Sequence, residues 1–387
     1  MTRKSPVGAF ESFGNSRFIS IGGWINAIIP ILIVPYYSVI GGWVIKYLIE
    51  YFAGHSKTLA GDAYFTTFIS NGWSTEICFI IFTLFTLGII YAGVRNGIER
   101  VSKFMMPILI VLSLIIAVYS VTRPGAIEGV KYFLVPNFDH FSWMTVVSAM
   151  GQMFYSLSIA MGILITFGSY MKKDTSIEKS TENVEIFDTA IAIMAGLMII
   201  PAVFAFSGGN AETLKSGPAL MFITIPKVFA NMGFGTAIGV VFFLLVLFAA
   251  VTSSIALTES AVSTFEDELH WSRKKSTVFM GMVMLLLGTL SCLGYGPLAN
   301  FKILGMQFLD FFDFITNSVM MPIAAIATCL LVSKVVGVDK IEEEIKKDGQ
   351  VFRRKKIFCF MIKYLCPLFA AIILISSVAN AFGIITM

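Results

Sequence analysis

The sequence predicts an all-α polytopic membrane protein, and three observations carry that prediction. Hydrophobic residues make up 57% and charged residues 13% of the 387, where an ordinary globular chain has about a quarter charged. Mean hydropathy is +0.83, and a soluble fold of this length lacks the interior volume to hide so much apolar surface. The apolar residues also run in blocks that match a bilayer crossing, which takes about 20 residues per helix. Each block is assigned as helix because an open strand leaves its backbone unsatisfied in lipid.

Nine spans follow in order, at about 19–51, 74–94, 102–121, 142–170, 186–206, 234–264, 276–293, 302–333 and 358–384. Several exceed a perpendicular crossing, which implies tilt, a break or an interfacial extension. The first holds Pro30 and Pro35, and places Tyr36 and Tyr37 mid-span, where their hydroxyls need partners or a cavity. The fourth clusters Gly151, Ser156, Ser158, Ala160 and Gly162 between apolar flanks. Such a cluster either lets helices pack closely or interrupts the helix, so that freed carbonyls face a cavity. The fifth contains Pro201 and carries Asp188 near its start. A carboxylate there complements the helix dipole or faces a partner or water. In the sixth, Ala249, Thr252 and Ser253 stand at i, i+3 and i+4 on one face. Their oxygens suit a hard monovalent cation, while bonding of the hydroxyls back to the preceding turn is the usual fate of such residues. The eighth sets Asp310 and Asp313 among phenylalanines and contains Pro322; the ninth contains Pro367. Two acids one turn apart in that setting call for a basic partner or a watery vestibule.

With the N-terminus in the cytoplasm and sides alternating, most of the 28 Lys and Arg fall on the cytoplasmic side. They include Arg95, Arg100, Lys172, Lys173, Arg273, Lys274 and the basic stretch of segment 334–363. The positive-inside rule thus predicts a multi-pass protein of the cell membrane, N-terminus cytoplasmic and C-terminus outside. The opening residues Met1 to Pro6 carry no apolar stretch, so no cleavable leader is expected. Nucleic acid is not an expected partner, because the cations sit in short loops. The five cysteines lie in or beside apolar stretches without metal-ligand spacing. No nucleophile–base pairing, phosphate loop or metal motif argues for an enzyme.

Taken in series, several segments resemble the neurotransmitter:sodium symporter family in its short bacterial branch. They are Pro35-Tyr36-Tyr37-Ser38-Val39-Ile40-Gly41-Gly42-Trp43, Ser156-Leu157-Ser158, Gly196 to Pro201 after Asp188, Thr252-Ser253-Ser254, Phe265-Glu266-Asp267-Glu268-Leu269, and Asp310 to Phe314. The resemblance implies sodium-coupled symport of a small amino acid, hydrophobic or aromatic, by alternating access through an inverted-repeat (five plus five) fold. It makes Ile33, Tyr37, Tyr155, Ser156, Ser158, Met161 and Leu257 the substrate pocket, with Tyr37 donating to the substrate carboxylate and Tyr155 as its aromatic lid. One sodium would take the Ala249 carbonyl with the Thr252 and Ser253 hydroxyls; the other would take Ser156 and Asp188, the latter through a one-residue shift against Pro201. The Asp188 carboxylate would stand in for chloride, so chloride independence is expected. Gln152 and Asp313 would belong to the extracellular gate and Asp267 to the intracellular one.

The chain's opening, Arg3 to Glu11, resembles the loop after the family's second helix. The expected coverage is therefore the third to eleventh helices, without the first two. One membrane domain then spans 1–387, with the remainder of the first repeat at 1–122, the second repeat at 142–333 and an extra C-terminal helix at 358–384. The rival reading is a transport-inactive truncated paralogue, or a fragment, acting at most as a membrane binding partner.

Overall fold

The computed structural model describes residues 1–14, 16–210, 213–214, 217–347 and 351–383; residue 384, where the ninth predicted span ends, lies outside them. The described residues form an all-helical protein. In chain order the helices used below are α1 (Pro6–Glu11), α2 (Arg17–Phe52), α3 (Gly72–Tyr91), α4 (Val94–Val121), α5 (Ala126–Leu134), α6 (Trp143–Ser156), α7 (Ile163–Tyr170), α8 (Ile177–Ser207), α9 (Gly217–Ala230), α10 (Gly235–Leu269), α11 (Arg273–Leu293), α12 (Phe308–Val336), α13 (Val338–Ile345) and α14 (Lys355–Ala381).

Eight of these, α2, α3, α4, α8, α10, α11, α12 and α14, are long and apolar enough to cross a membrane. The pair α6 and α7 occupies the place of the predicted fourth span, interrupted in the middle. Helix ends differ from the sequence expectation in informative ways. Helix α8 starts at Ile177, capped by Ser176, which accepts from the Lys179 amide; its first turns are polar, so hydropathy alone begins it too late. Helix α10 continues to Leu269, beyond the predicted end at 264, so Glu266, Asp267 and Glu268 ride on its last turns.

Helices α2 and α10 form the centre. Trp43, Tyr47 and Tyr51 on α2 are buried, and Tyr47 and Tyr51 stack on Phe243 of α10 with centroids 5.2 and 5.4 Å apart. Small residues set how closely the neighbours approach: a Cβ on Gly42 would lie 2.6 Å from the Phe79 backbone nitrogen of α3. In lipid, where no hydrophobic drive brings helices together, such close backbone contact supplies the packing energy. Pro30 and Pro35 sit inside α2 without breaking it, each leaving the carbonyl four residues earlier without its helical donor.

Candidate functional site

The site begins at the interruption between α6 and α7. Ser158, Ala160 and Gly162 adopt φ of 53°, 61° and 71°, left-handed backbone that L residues other than glycine take at a cost. Helix α6 closes on itself, the Ser158 and Ile159 amides donating to Tyr155 and Phe154 carbonyls at 3.1 and 2.9 Å. Of the two sequence readings, close packing or a discontinuous helix, the structure has the discontinuous one. Gly162 is required there on two counts. Its φ is positive, and a Cβ would come within 2.8 Å of the Asn26 carbonyl oxygen, the carbonyl whose helical donor is missing at Pro30.

At the end of α6 the Ser156 hydroxyl donates to Asp188 Oδ1 at 2.5 Å. Asp188 lies eleven residues into α8, so it does not serve the dipole of the helix start, one of the roles open to it in the sequence; its partner is the broken helix. Opposite, on α10, the Thr252 hydroxyl approaches the Phe248 and Ala249 carbonyls, each at 3.0 Å. That is the back-bonded geometry common in membrane helices. It uses the Thr252 proton and leaves lone pairs on its oxygen for a cation. Ser253 follows Thr252 on α10, and Tyr37 of α2 and Ala249 of α10 pack against the same apolar core. Both oxygen sets, Ser156 with Asp188 and Ala249 with Thr252 and Ser253, are hard donors of the kind alkali and alkaline-earth cations take. Ile33, Met161 and Leu257 are buried in one continuous apolar cluster, against which Tyr37, Tyr155 and Ala249 pack. Ser158 is half-buried in the break.

The predicted gate residues fall at two ends. Asp313 on α12 accepts from the Tyr36 hydroxyl at 3.1 Å and from Asn317 Nδ2 at 2.6 Å; Thr316 lies 3.3 Å from the same Tyr36 hydroxyl. Tyr36 thereby finds its partner, and the acid pair splits: Asp310 accepts from Tyr295 at 2.9 Å. Gln152 is exposed on α6, and among the described residues it makes no hydrogen bond to Asp313. A cavity of about 170 Å³ lies beside this group, lined by Tyr155, Asn317, Met321 and Ser377 among others. At the other end Asp267 accepts the Ser5 backbone N–H at the start of α1.

Sequence reasoning missed one group altogether. Glu259, fully buried on α10, is gripped by Arg273 of α11 at 2.6 and 3.1 Å. It also accepts from the Tyr170 hydroxyl of α7 at 2.7 Å, and Arg273 Nε donates to the Ile90 carbonyl of α3 at 3.0 Å. The available signal was a lone carboxylate inside an apolar helix, which must be paired; Arg273 looked instead like part of a solvated loop.

Comparison with known proteins identifies the family and the fold. Residues 65–384 match the sodium:neurotransmitter symporter family. An uncharacterised sodium-dependent transporter of Bacillus subtilis, YhdH, is 32% identical over 367 residues, covering 94% of this chain and 80% of that one. One from Haemophilus influenzae is 29% identical over 395 residues, covering 97% and 84%. The crystal structure of MhsT in complex with L-phenylalanine superposes with a TM-score of 0.84 at 32% identity, over 97% of this chain and 85% of that one. The chain belongs to the sodium:neurotransmitter symporter family, a family of sodium-dependent transporters and not of enzymes.

Proposed function

We propose that the chain carries out sodium-coupled symport of a hydrophobic or aromatic amino acid across the cell membrane by alternating access. The observation that carries this reading is the 2.5 Å contact of Ser156 with Asp188 at the break between α6 and α7. It gathers a carboxylate of the membrane-spanning helix α8 and a hydroxyl at the end of α6, beside unwound backbone. There a negative charge is costly without a cation. Tyr37, Tyr155, Ser156, Ser158, Ile33, Met161 and Leu257 form the substrate pocket, and their mainly apolar and aromatic walls favour a side chain such as that of L-phenylalanine, the ligand in the MhsT crystal structure. Ser156 and Asp188 hold one sodium; Ala249, Thr252 and Ser253 hold the second. Asp188 supplies the anionic charge, so chloride is not required. The half-helices α6 and α7 reorient about the break, Asp313 and Gln152 closing one side and Asp267 the other. The repeats divide at 1–122 and 142–333, with 358–384 as the added helix and the N-terminus in the cytoplasm.

The test is uptake of labelled L-phenylalanine into proteoliposomes under an inward sodium gradient. Accumulation should collapse when the gradient is removed and persist when gluconate replaces chloride. Thr252→Ala should weaken the sodium dependence; an unchanged dependence would remove the second-site assignment. Folded protein that binds L-phenylalanine without accumulating it would favour the non-transporting reading.

A further inference from the structure

Helix α14 divides its cations between two faces. Arg354, just before its first turn, reaches α8, with Nη1 2.9 Å from Glu185 and Nη2 3.5 Å from Glu182. Lys355 pairs with Glu342 of α13. Arg353, Lys356 and Lys363 are exposed, and among the described residues no carboxylate pairs with their side chains. They share one stripe with exposed Ile357, Phe360 and Tyr364, the last two rings 5.9 Å apart. The stripe continues into exposed Leu368 and Ile375. Helix α14 is also the least covered of the eight long helices, with 11% of its most apolar stretch buried.

We propose that this stripe is a binding surface for anionic phospholipid. Headgroup phosphates sit on Arg353, Lys356 and Lys363, and an acyl chain runs along Phe360, Tyr364 and Leu368. The order of residue types along the helix carries the argument. Arg353 and Lys356 come first, apolar Ile357 and Phe360 follow, Lys363 adjoins amphipathic Tyr364, and beyond Tyr364 the exposed residues are purely apolar; with Lys363 reaching back, this is the vertical order of headgroup, interface and hydrocarbon in a bilayer leaflet. Lys363 lies about 10 Å further along the helix than Lys356, and its apolar stem lets the ammonium snorkel back to the headgroups. Three cations without counter-carboxylates favour a lipid with net negative charge over a zwitterionic one. A second copy of the chain is a poorer occupant, because pairing this face with itself brings like charges together.

Native mass spectrometry of the full chain, from micelles holding equal phosphatidylglycerol and phosphatidylcholine, tests this. The unaltered chain should retain phosphatidylglycerol preferentially. Each cation near an anionic surface is worth about fivefold in partition, so R353Q/K356Q/K363Q should lower that retention about a hundredfold. K172Q/K173Q/K179Q, which removes the same charge around the start of α8, should leave it unchanged, and K356R/K363R should preserve it. Should the triple glutamine variant not fold, the three single variants should each lose about fivefold. Retention unchanged in the glutamine variants, an equal loss in the K172Q/K173Q/K179Q control, equal binding of both lipids, or a lipid-free dimer would each overturn the proposal.

Discussion

Asp188 and Glu259 are two carboxylates in apolar helices, and their partners give them opposite consequences. Asp188 meets a neutral hydroxyl, so its charge is uncompensated until a cation arrives. Glu259 is already neutralised by a bidentate guanidinium. Asp188→Asn should therefore leave the fold intact and weaken half-saturating sodium by at least about tenfold, the loss of roughly 1.4 kcal/mol that one charge-assisted contact exceeds. Partial rescue of uptake by added chloride would identify what is missing as negative charge; no change in sodium dependence would exclude Asp188 from the site. Arg273→Ala should act on stability instead. It strands a buried carboxylate at a cost of about 3–5 kcal/mol, which detergent-solubilised thermal unfolding reads as a large fall in midpoint. Arg273→Lys should recover only part of it, since an ammonium cannot reproduce the two-pronged contact.

At the scale of elements, the interrupted helix is held open by chemistry on both of its sides. Gly162→Ala combines a positive φ with a close approach to the Asn26 carbonyl. It should destabilise the break by about 1–3 kcal/mol and lower uptake, with thermal unfolding separating the two effects. The α13–α14 connection responds to acid. Hydrogen bonds from Lys346 and Lys355 hold the Glu342 carboxyl below its usual range. A depressed folded-state value contributes stability above the unfolded pKa of about 4.3 and loses it as pH falls through the folded one. Spin labels at Lys340→Cys and Leu368→Cys should give one distance from pH 8 to pH 5 and a broadened one at pH 3; a distribution unchanged at pH 3 would refute the tether. Apolar length alone located the long helices, because lipid admits little else. It could not decide whether Ser156 to Gly162 packs or breaks, since small residues serve both ends. It also missed the polar first turns of α8, where the Ser176 cap and not hydropathy sets the start.

For the whole molecule, the central question is which residues meet which compartment, and the charge asymmetry of the loops makes an answer testable. Ser156 and Asp188 were assigned to one sodium through a resemblance read along the chain, and the fold brings the two into contact. Tyr36 with Asp313 and Arg273 with Glu259 come from residues 277 and 14 positions apart, which no local pattern connects. A transporter using these pairs needs its two ends in different solutions. Each sodium charge crossing a 100 mV potential gains about 2.3 kcal/mol, so the direction of uptake depends on orientation. Lys57 lies in the connection between α2 and α3, and Lys173 in the one between α7 and α8; both are exposed. The cysteines at 78, 292 and 329 are buried and those at 359 and 366 half-buried, so a background lacking all five gives a clean readout. In intact cells, a membrane-impermeant maleimide should label Lys57→Cys at once and reach Lys173→Cys only after permeabilisation. The reverse pattern would invert the topology and exchange the roles of the Asp313 and Asp267 ends. Labelling of both in intact cells would mean that the charge distribution does not fix one orientation.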